Sequence, residues 1–210
     1  VHNLAGDPAY ASCVQEMIFG ADHEVIAAGR ARTAHTPGGT AALRVGAGLV
    51  TLGIAESLNP VMETLLLEAM TAPLPEHAPG VLGQESLERL CTLAQGKQCL
   101  VIGPGLGTAP ETGELVRSLI RRSPCPLVID ADGLNHLAGR LDGLENLPVD
   151  AVITPHPGEM ARLLGTTAAT VQRDRIGCTR NLAMSLKIHV VLKGARTLIA
   201  HPDGALFVNP

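Results

Sequence analysis

The sequence predicts a three-layer α/β domain: a mostly parallel sheet, helices on both faces, and a hairpin at the C-terminal edge. Three observations lead there. Short apolar runs at 99–102, 126–129, 151–153 and 189–192 have the near-continuous hydrophobicity of strands buried on both faces. Helical patterns separate these runs, giving strand–helix–strand alternation. Loops rich in Gly, Pro and Asp follow each run, where chain reversals are expected.

Taken in order, residues 14–26 hold apolar positions compatible with one helix, and Thr36-Pro37-Gly38-Gly39 breaks that pattern. A small-residue helix is expected over 40–46, closed by the Gly46-Ala47-Gly48 turn, with a strand over 49–54. Asn59-Pro60 opens a helix running to about Met70, since proline is tolerated in a first turn. Residues 72–83 read as a proline-rich surface loop. The 84–94 helix places Leu87, Leu90 and Leu93 on one face, and 111–122 is amphipathic. After the 151–153 strand come helices at 158–164 and 170–186. Strands at 197–200 and 205–208 flank His201-Pro202-Asp203-Gly204, a hairpin signal.

Composition narrows the function classes. With no Trp, one Tyr and two Phe, the core must be built from aliphatic side chains. A formal charge of −4 and the lack of a basic cluster argue against nucleic acid as a partner. The five cysteines are scattered and contain no CxxC pair, the usage expected of reduced thiols in a cytoplasmic protein. No apolar run reaches membrane-spanning length. Starting at Val1 and stopping at Pro210 after a strand, the chain is expected to be part of a longer protein.

Four motifs carry chemistry. Gly103-Pro104-Gly105-Leu106-Gly107-Thr108 follows the 99–102 strand; it is either a tight turn or a cradle letting backbone N–H groups approach an anion. Its sixth residue, Thr108, separates it from the dinucleotide-binding fingerprint. In Asp130-Ala131-Asp132-Gly133-Leu134-Asn135 the carboxylates could hold Mg²⁺ through water or bind a ribose, or Asp132 could cap a helix. Thr154-Pro155-His156-Pro157-Gly158-Glu159 holds one imidazole between two prolines, which stiffen the backbone on either side. His156 and Glu159 could share a pocket or cap the next helix, but zinc lacks further ligands there. Lys193-Gly194-Ala195-Arg196-Thr197 is a hairpin turn or a phosphate loop. All four follow predicted parallel strands, so they should open onto one rim.

Together with Gly46-Ala47-Gly48-Leu49-Val50-Thr51 and Glu68-Ala69-Met70, these motifs resemble the ADP-dependent NAD(P)H-hydrate dehydratase family over 38–210, leaving 1–37 as an atypical N-terminal segment. The resemblance implies a ribokinase-like fold and a repair reaction. Hydrated NADH or NADPH plus ADP would give NAD(P)H, AMP and phosphate. It implies that Gly105, His156, Asp132, Asn135 and Glu159 contact the hydrated dinucleotide, and that Lys193, Gly194, Ala195, Arg196 and Thr197 hold ADP. Asp130 would lie nearest a Mg²⁺. The expected partners are these two ligands, further copies of the chain in a homo-oligomer, and an NAD(P)H-hydrate epimerase, fused or separate. The family places its general-base Asp in a Gly-Thr-Gly-Asp segment after an Asn-Pro like Asn209-Pro210, so partial domain 38–210 is expected to lack it and to have impaired activity. A small-molecule kinase of the same fold and an inactive nucleotide-binding domain are the alternatives.

Overall fold

The apolar strands stop where polar, glycine- and proline-rich loops begin. In the computed structural model, which describes residues 24–28 and 47–209, these stops line up along one rim. The elements are β1 (Glu24–Ala28), β2 (Leu49–Ala55), α1 (Asn59–Leu65), β3 (Met70–Leu74), β4 (Glu76–Ala78), β5 (Val81–Leu82), α2 (Leu87–Ala94), β6 (Cys99–Ile102) and α3 (Pro110–Arg122). They continue with β7 (Leu127–Ile129), α4 (Asp132–Asn135), β8 (Ala151–Ile153), α5 (Pro157–Leu163), α6 (Ala168–Arg173), α7 (Arg175–Leu186), β9 (His189–Leu192), β10 (Leu198–Ala200) and β11 (Leu206–Val208).

Nine strands form the main sheet, in the order β11-β10-β9-β8-β7-β6-β1-β2-β3, and β4 pairs with β5 separately. Every neighbouring pair from β3 to β9 is parallel, while β10 runs antiparallel to both β9 and β11. The chain moves outward from β1 through β2 to β3, then returns to β6 on the other side of β1. In open α/β sheets such a reversal marks the usual ligand position, beyond the carboxyl ends of the strands.

Strand periodicity assigns the two faces. Leu100 and Ile102, Leu127 and Ile129, and Ala151 and Ile153 share one large cluster with Leu90, Leu115, Leu119, Met160, Val171 and Leu182 of the helices. On the opposite face Leu52 and Ile54 pack on Met62 of α1, and Cys99, Val128 and Val152 form a smaller cluster. Helices therefore cover both faces, as expected.

Several elements depart from the sequence expectation. Residues 24–28 form a strand rather than the end of a helix; Glu-Val-Ile-Ala-Ala is short enough for the helix pattern to be ambiguous, and pairing with β2 and β6 decides it. The expected 40–46 helix lies outside the described residues. The helix opened by Asn59 ends at Leu65, and Met70 begins β3 instead. Residues 72–83 are not a plain loop, because they finish β3 and form the β4–β5 hairpin. Pro73 is tolerated because β3 is an edge strand. The single 170–186 helix is two helices, broken at Asp174, whose side chain caps α7 by accepting from Gly177 N at 2.8 Å. No described helix is long and apolar enough to cross a membrane.

Candidate active site

The rim is assembled from backbone steps between neighbouring strand ends. Asp130 N–H donates to Ile102 O at 3.0 Å, Thr154 N–H to Ile129 O at 3.1 Å, and Lys193 N–H to Pro155 O at 2.9 Å. Each bond fixes one loop against the loop beside it. The four motifs therefore stand side by side, as their common position after parallel strands implies.

Glycine is required where the first two loops meet. Gly103 has φ +128°, and a Cβ there would lie 1.7 Å from Asp130 O and 2.7 Å from Gly133 N. No side chain fits in that space. Between the two aspartates Ala131 has φ +49° and ψ −120°, a positive-φ conformation outside the left-handed helical region that costs a residue with a Cβ about 1–3 kcal/mol. Strain of this kind persists only where surrounding contacts hold it.

Asp132 does not cap the following helix. Its Oδ2 accepts from Gly107 N at 2.8 Å, and its Oδ1 accepts from Asn135 Nδ2 at 3.2 Å. The carboxylate thus shapes the glycine loop, in which Gly105 and Gly107 both have φ +76°. His136 Nε2 lies 2.9 Å from Gly107 O, a contact that only an Nε2–H can donate. Burial holds the His136 pKa below its ordinary value, so the ring is kept neutral.

His156 serves as the N-cap of α5. Its Nδ1 accepts from Gly158 N at 2.9 Å and Glu159 N at 3.3 Å, while Glu159 Oε2 accepts from His156 N at 2.7 Å. This reciprocal capping box leaves the imidazole proton on Nε2, 3.4 Å from Glu159 Oε1. The capping account of this pair is therefore met in full. Half of the His156 side chain still faces solvent, whereas Glu159 is 7% exposed.

Lys193 joins three loops. Its Nζ lies 2.5 Å from Asp130 Oδ1 and 3.8 Å from Glu159 Oε2. The nearly buried Glu159 thus has a cation as well as a backbone donor beside it. Gly194, Ala195 and Arg196 are exposed on the loop that follows, and Thr197 Oγ1 donates to Gly194 O at 3.2 Å. Two neighbouring groups result: Asp130, Lys193, Glu159 and His156, and Gly107, Asp132, Asn135 and Arg162, with Gly105 on the glycine loop and 194–197 following Lys193.

Sequence reasoning missed Arg162, Arg175 and His136. Arg162 Nε donates to Asn135 Oδ1 at 3.0 Å and so links α5 to the aspartate loop. Its only sequence signal is its place three residues after Glu159, on the same helical face. Among the described residues no cluster of three metal-binding side chains occurs. The described cysteines are free thiols outside both groups; burial pushes the Cys99 thiol up to about 12, which makes it a poor nucleophile.

A family model described as NAD(P)H-hydrate dehydratase matches residues 28–210. The Bifunctional NAD(P)H-hydrate repair enzyme Nnr of Moorella thermoacetica is 44% identical over 171 residues, covering 81% of this chain and 32% of that protein. The ADP-dependent (S)-NAD(P)H-hydrate dehydratase of Xanthomonas campestris is 36% identical over 173 residues, 81% of this chain and 57% of its own length. The chain thus spans about a third of the bifunctional relatives it matches. Among solved structures, the ADP/ATP-dependent NAD(P)H-hydrate dehydratase of Bacillus subtilis, crystallised with ATP and Mg²⁺, superposes with a TM-score of 0.70 at 27% identity, covering 89% of this chain and 63% of that one. A hydroxyethylthiazole kinase from Pyrococcus horikoshii shares the fold at a TM-score of 0.56 and 18% identity, covering 95% of this chain and 66% of that one. The chain has the ribokinase-like fold and belongs to the NAD(P)H-hydrate dehydratase family.

Proposed function

We propose that this chain forms part of a cytoplasmic enzyme that restores hydrated NADH and NADPH by ADP-dependent dehydration, releasing AMP and phosphate. The observation that carries the reading is the convergence of four strand-end loops on one carboxyl rim, three of them joined by Lys193 and the glycine loop held by Asp132. Hydroxide is a poor leaving group, so the ring hydroxyl would first take the β-phosphoryl group of ADP. Phosphate would then depart, pushed by the ring nitrogen. Phosphoryl transfer relies mainly on positioning and charge neutralisation. The half-exposed Lys193 ammonium and the exposed 194–196 segment suit the phosphates, while His156, Asn135 and Asp132 suit the polar edge of the hydrated nicotinamide.

The donor set fits a Mg²⁺ carried by nucleotide phosphates better than a resident ion. Asp130 Oδ1 is paired with Lys193, and both Asp132 oxygens accept hydrogen bonds. Asp130 would touch such an ion through its other oxygen or through water. When bound, the cation neutralises developing phosphate charge.

The test is an absorbance assay at the reduced-nicotinamide band with hydrated NADH and ADP. It is run on the 210-residue chain and on a version extended through the family's Gly-Thr-Gly-Asp segment. ADP-dependent recovery of NADH in the extended version is expected. Consumption of ATP with a phosphorylated vitamin-like product, and no NADH, would favour the kinase reading instead.

A further inference from the structure

The 193–197 loop lies over a guanidinium that belongs to none of the four motifs. Arg175 opens α7, and its Nη1 donates to Ala195 O at 2.7 Å. Its Nη2 lies 3.5 Å from Leu192 O and 3.4 Å from Arg196 O. Three carbonyls that span the loop thus face one rigid fork, a geometry no lysine can copy.

The loop is shaped around that fork. Gly194 has φ +139° and Arg196 φ +56°. A Cβ on Gly194 would come within 3.2 Å of Arg175 Nη2, so the backbone rests close to the guanidinium. The carbonyls of residues 192, 195 and 196 all meet Arg175, while Lys193 N–H, on the same peptide as Leu192 O, donates to Pro155 O. Arg175 Nε is buried and has no hydrogen-bond partner. A buried donor without an acceptor costs stability, so its presence calls for an explanation.

We infer that Arg175 is the positioning residue of the nucleotide loop: it clamps the carbonyls of residues 192, 195 and 196 so that the 193–197 loop is held ready for ADP. The inference rests on the nucleotide reading of that loop. Arg175 acts through the loop backbone, whose carbonyls accept from its guanidinium.

The experiment compares wild type, Arg175→Met, Arg175→Lys and Arg175→Ala. Calorimetry with ADP and separately with hydrated NADH gives two affinities, and backbone ¹⁵N order parameters of residues 194–197 are measured without ligand. Arg175→Met is expected to weaken ADP binding on the order of 10- to 100-fold, the range for lost hydrogen bonds to a charged group. Affinity for hydrated NADH should hold, order parameters should fall in 194–197 only, and Arg175→Lys should recover part of the ADP affinity. Millimolar guanidinium should restore ADP binding to Arg175→Ala. Unchanged order parameters, or equal loss of both ligands without guanidinium rescue, would overturn the clamp. Failure of the wild type to bind ADP would overturn the nucleotide reading of the loop, while the order parameters still judge whether Arg175 holds it.

Discussion

The two rims of the sheet make an instructive pair. Each carries non-glycine residues with positive φ: Ala131 and Arg196 at the carboxyl rim, Asn146 and Lys187 at the amino rim. The amino rim also holds a cleft of about 610 Å³, lined by residues such as Pro126, Asn146, Pro148, Asp150 and Lys187. Yet Lys187 is simply the residue that ends α7, where a left-handed step is the ordinary way to stop a helix. At the carboxyl rim the unusual backbone carries side chains that meet across three loops. Cavity size and positive-φ backbone therefore do not distinguish the two rims as candidates; convergence of polar groups does.

The largest way to break the comparison is at Gly103. Gly103→Ala must push against Asp130 O, and we expect a loss of about 4 kcal/mol or failure to fold, measured by urea unfolding. A loss below about 1 kcal/mol would mean that the two loops do not pack backbone on backbone. Next is Lys193→Met. With Lys193 40% exposed, solvent screening limits the stability loss to about 1 kcal/mol. ADP affinity should nonetheless fall at least about tenfold, the effect of losing a charge-assisted contact.

His156 separates folding from binding. His156→Ala should cost about 1 kcal/mol through the lost cap, whereas His156→Asn keeps a capping acceptor and most of the stability. Both should lose affinity for hydrated NADH. Recovery of that affinity in His156→Asn would reduce His156 to a capping residue.

Smaller effects sharpen the contrast between rims. Ala131→Gly and Lys187→Gly both relieve a positive-φ residue, by up to about 1 kcal/mol each in thermal or urea unfolding. Only Ala131→Gly should weaken ligand binding, by a few fold, because it loosens the spacing of Asp130 and Asp132. The pH dependence has the same sign at both rims, since burial lowers the pKa of His136 and of His189 from 6.5. The unfolded chain therefore takes up these protons first. Their contribution is present above about pH 6.5 and is lost as pH falls through the depressed folded values. His136→Gln, which can still donate to Gly107 O, should flatten part of that acid limb in pH-dependent unfolding.

Much of the site was legible because its residues sit in short motifs directly after apolar strands. Short continuous apolar runs located 99–102, 126–129, 151–153 and 189–192, and parallel pairing then brought their loops onto one rim. The motifs did not reveal what joins them. Arg162 and Arg175 lie on helices, where an exposed arginine reads as an ordinary solvated face until the opposing carbonyl or amide is known. Edge elements were equally hidden: β3 begins at Met70 in a stretch that continues an apolar helix pattern, and Pro73 argues locally against a strand. Tertiary pairing, absent from local sequence, decided both. Asp132 shows the same limit within a motif, since its partner Gly107 lies 25 residues away.

The most direct measurement is calorimetric titration of ADP into wild type, Lys193→Met at the carboxyl rim and Lys187→Met at the amino rim, at one ionic strength. Saturable binding by wild type and Lys187→Met, with at least about tenfold weakening in Lys193→Met, is the expected result. No binding by wild type, or equal weakening in both variants, would contradict the assignment of the carboxyl rim as the nucleotide site.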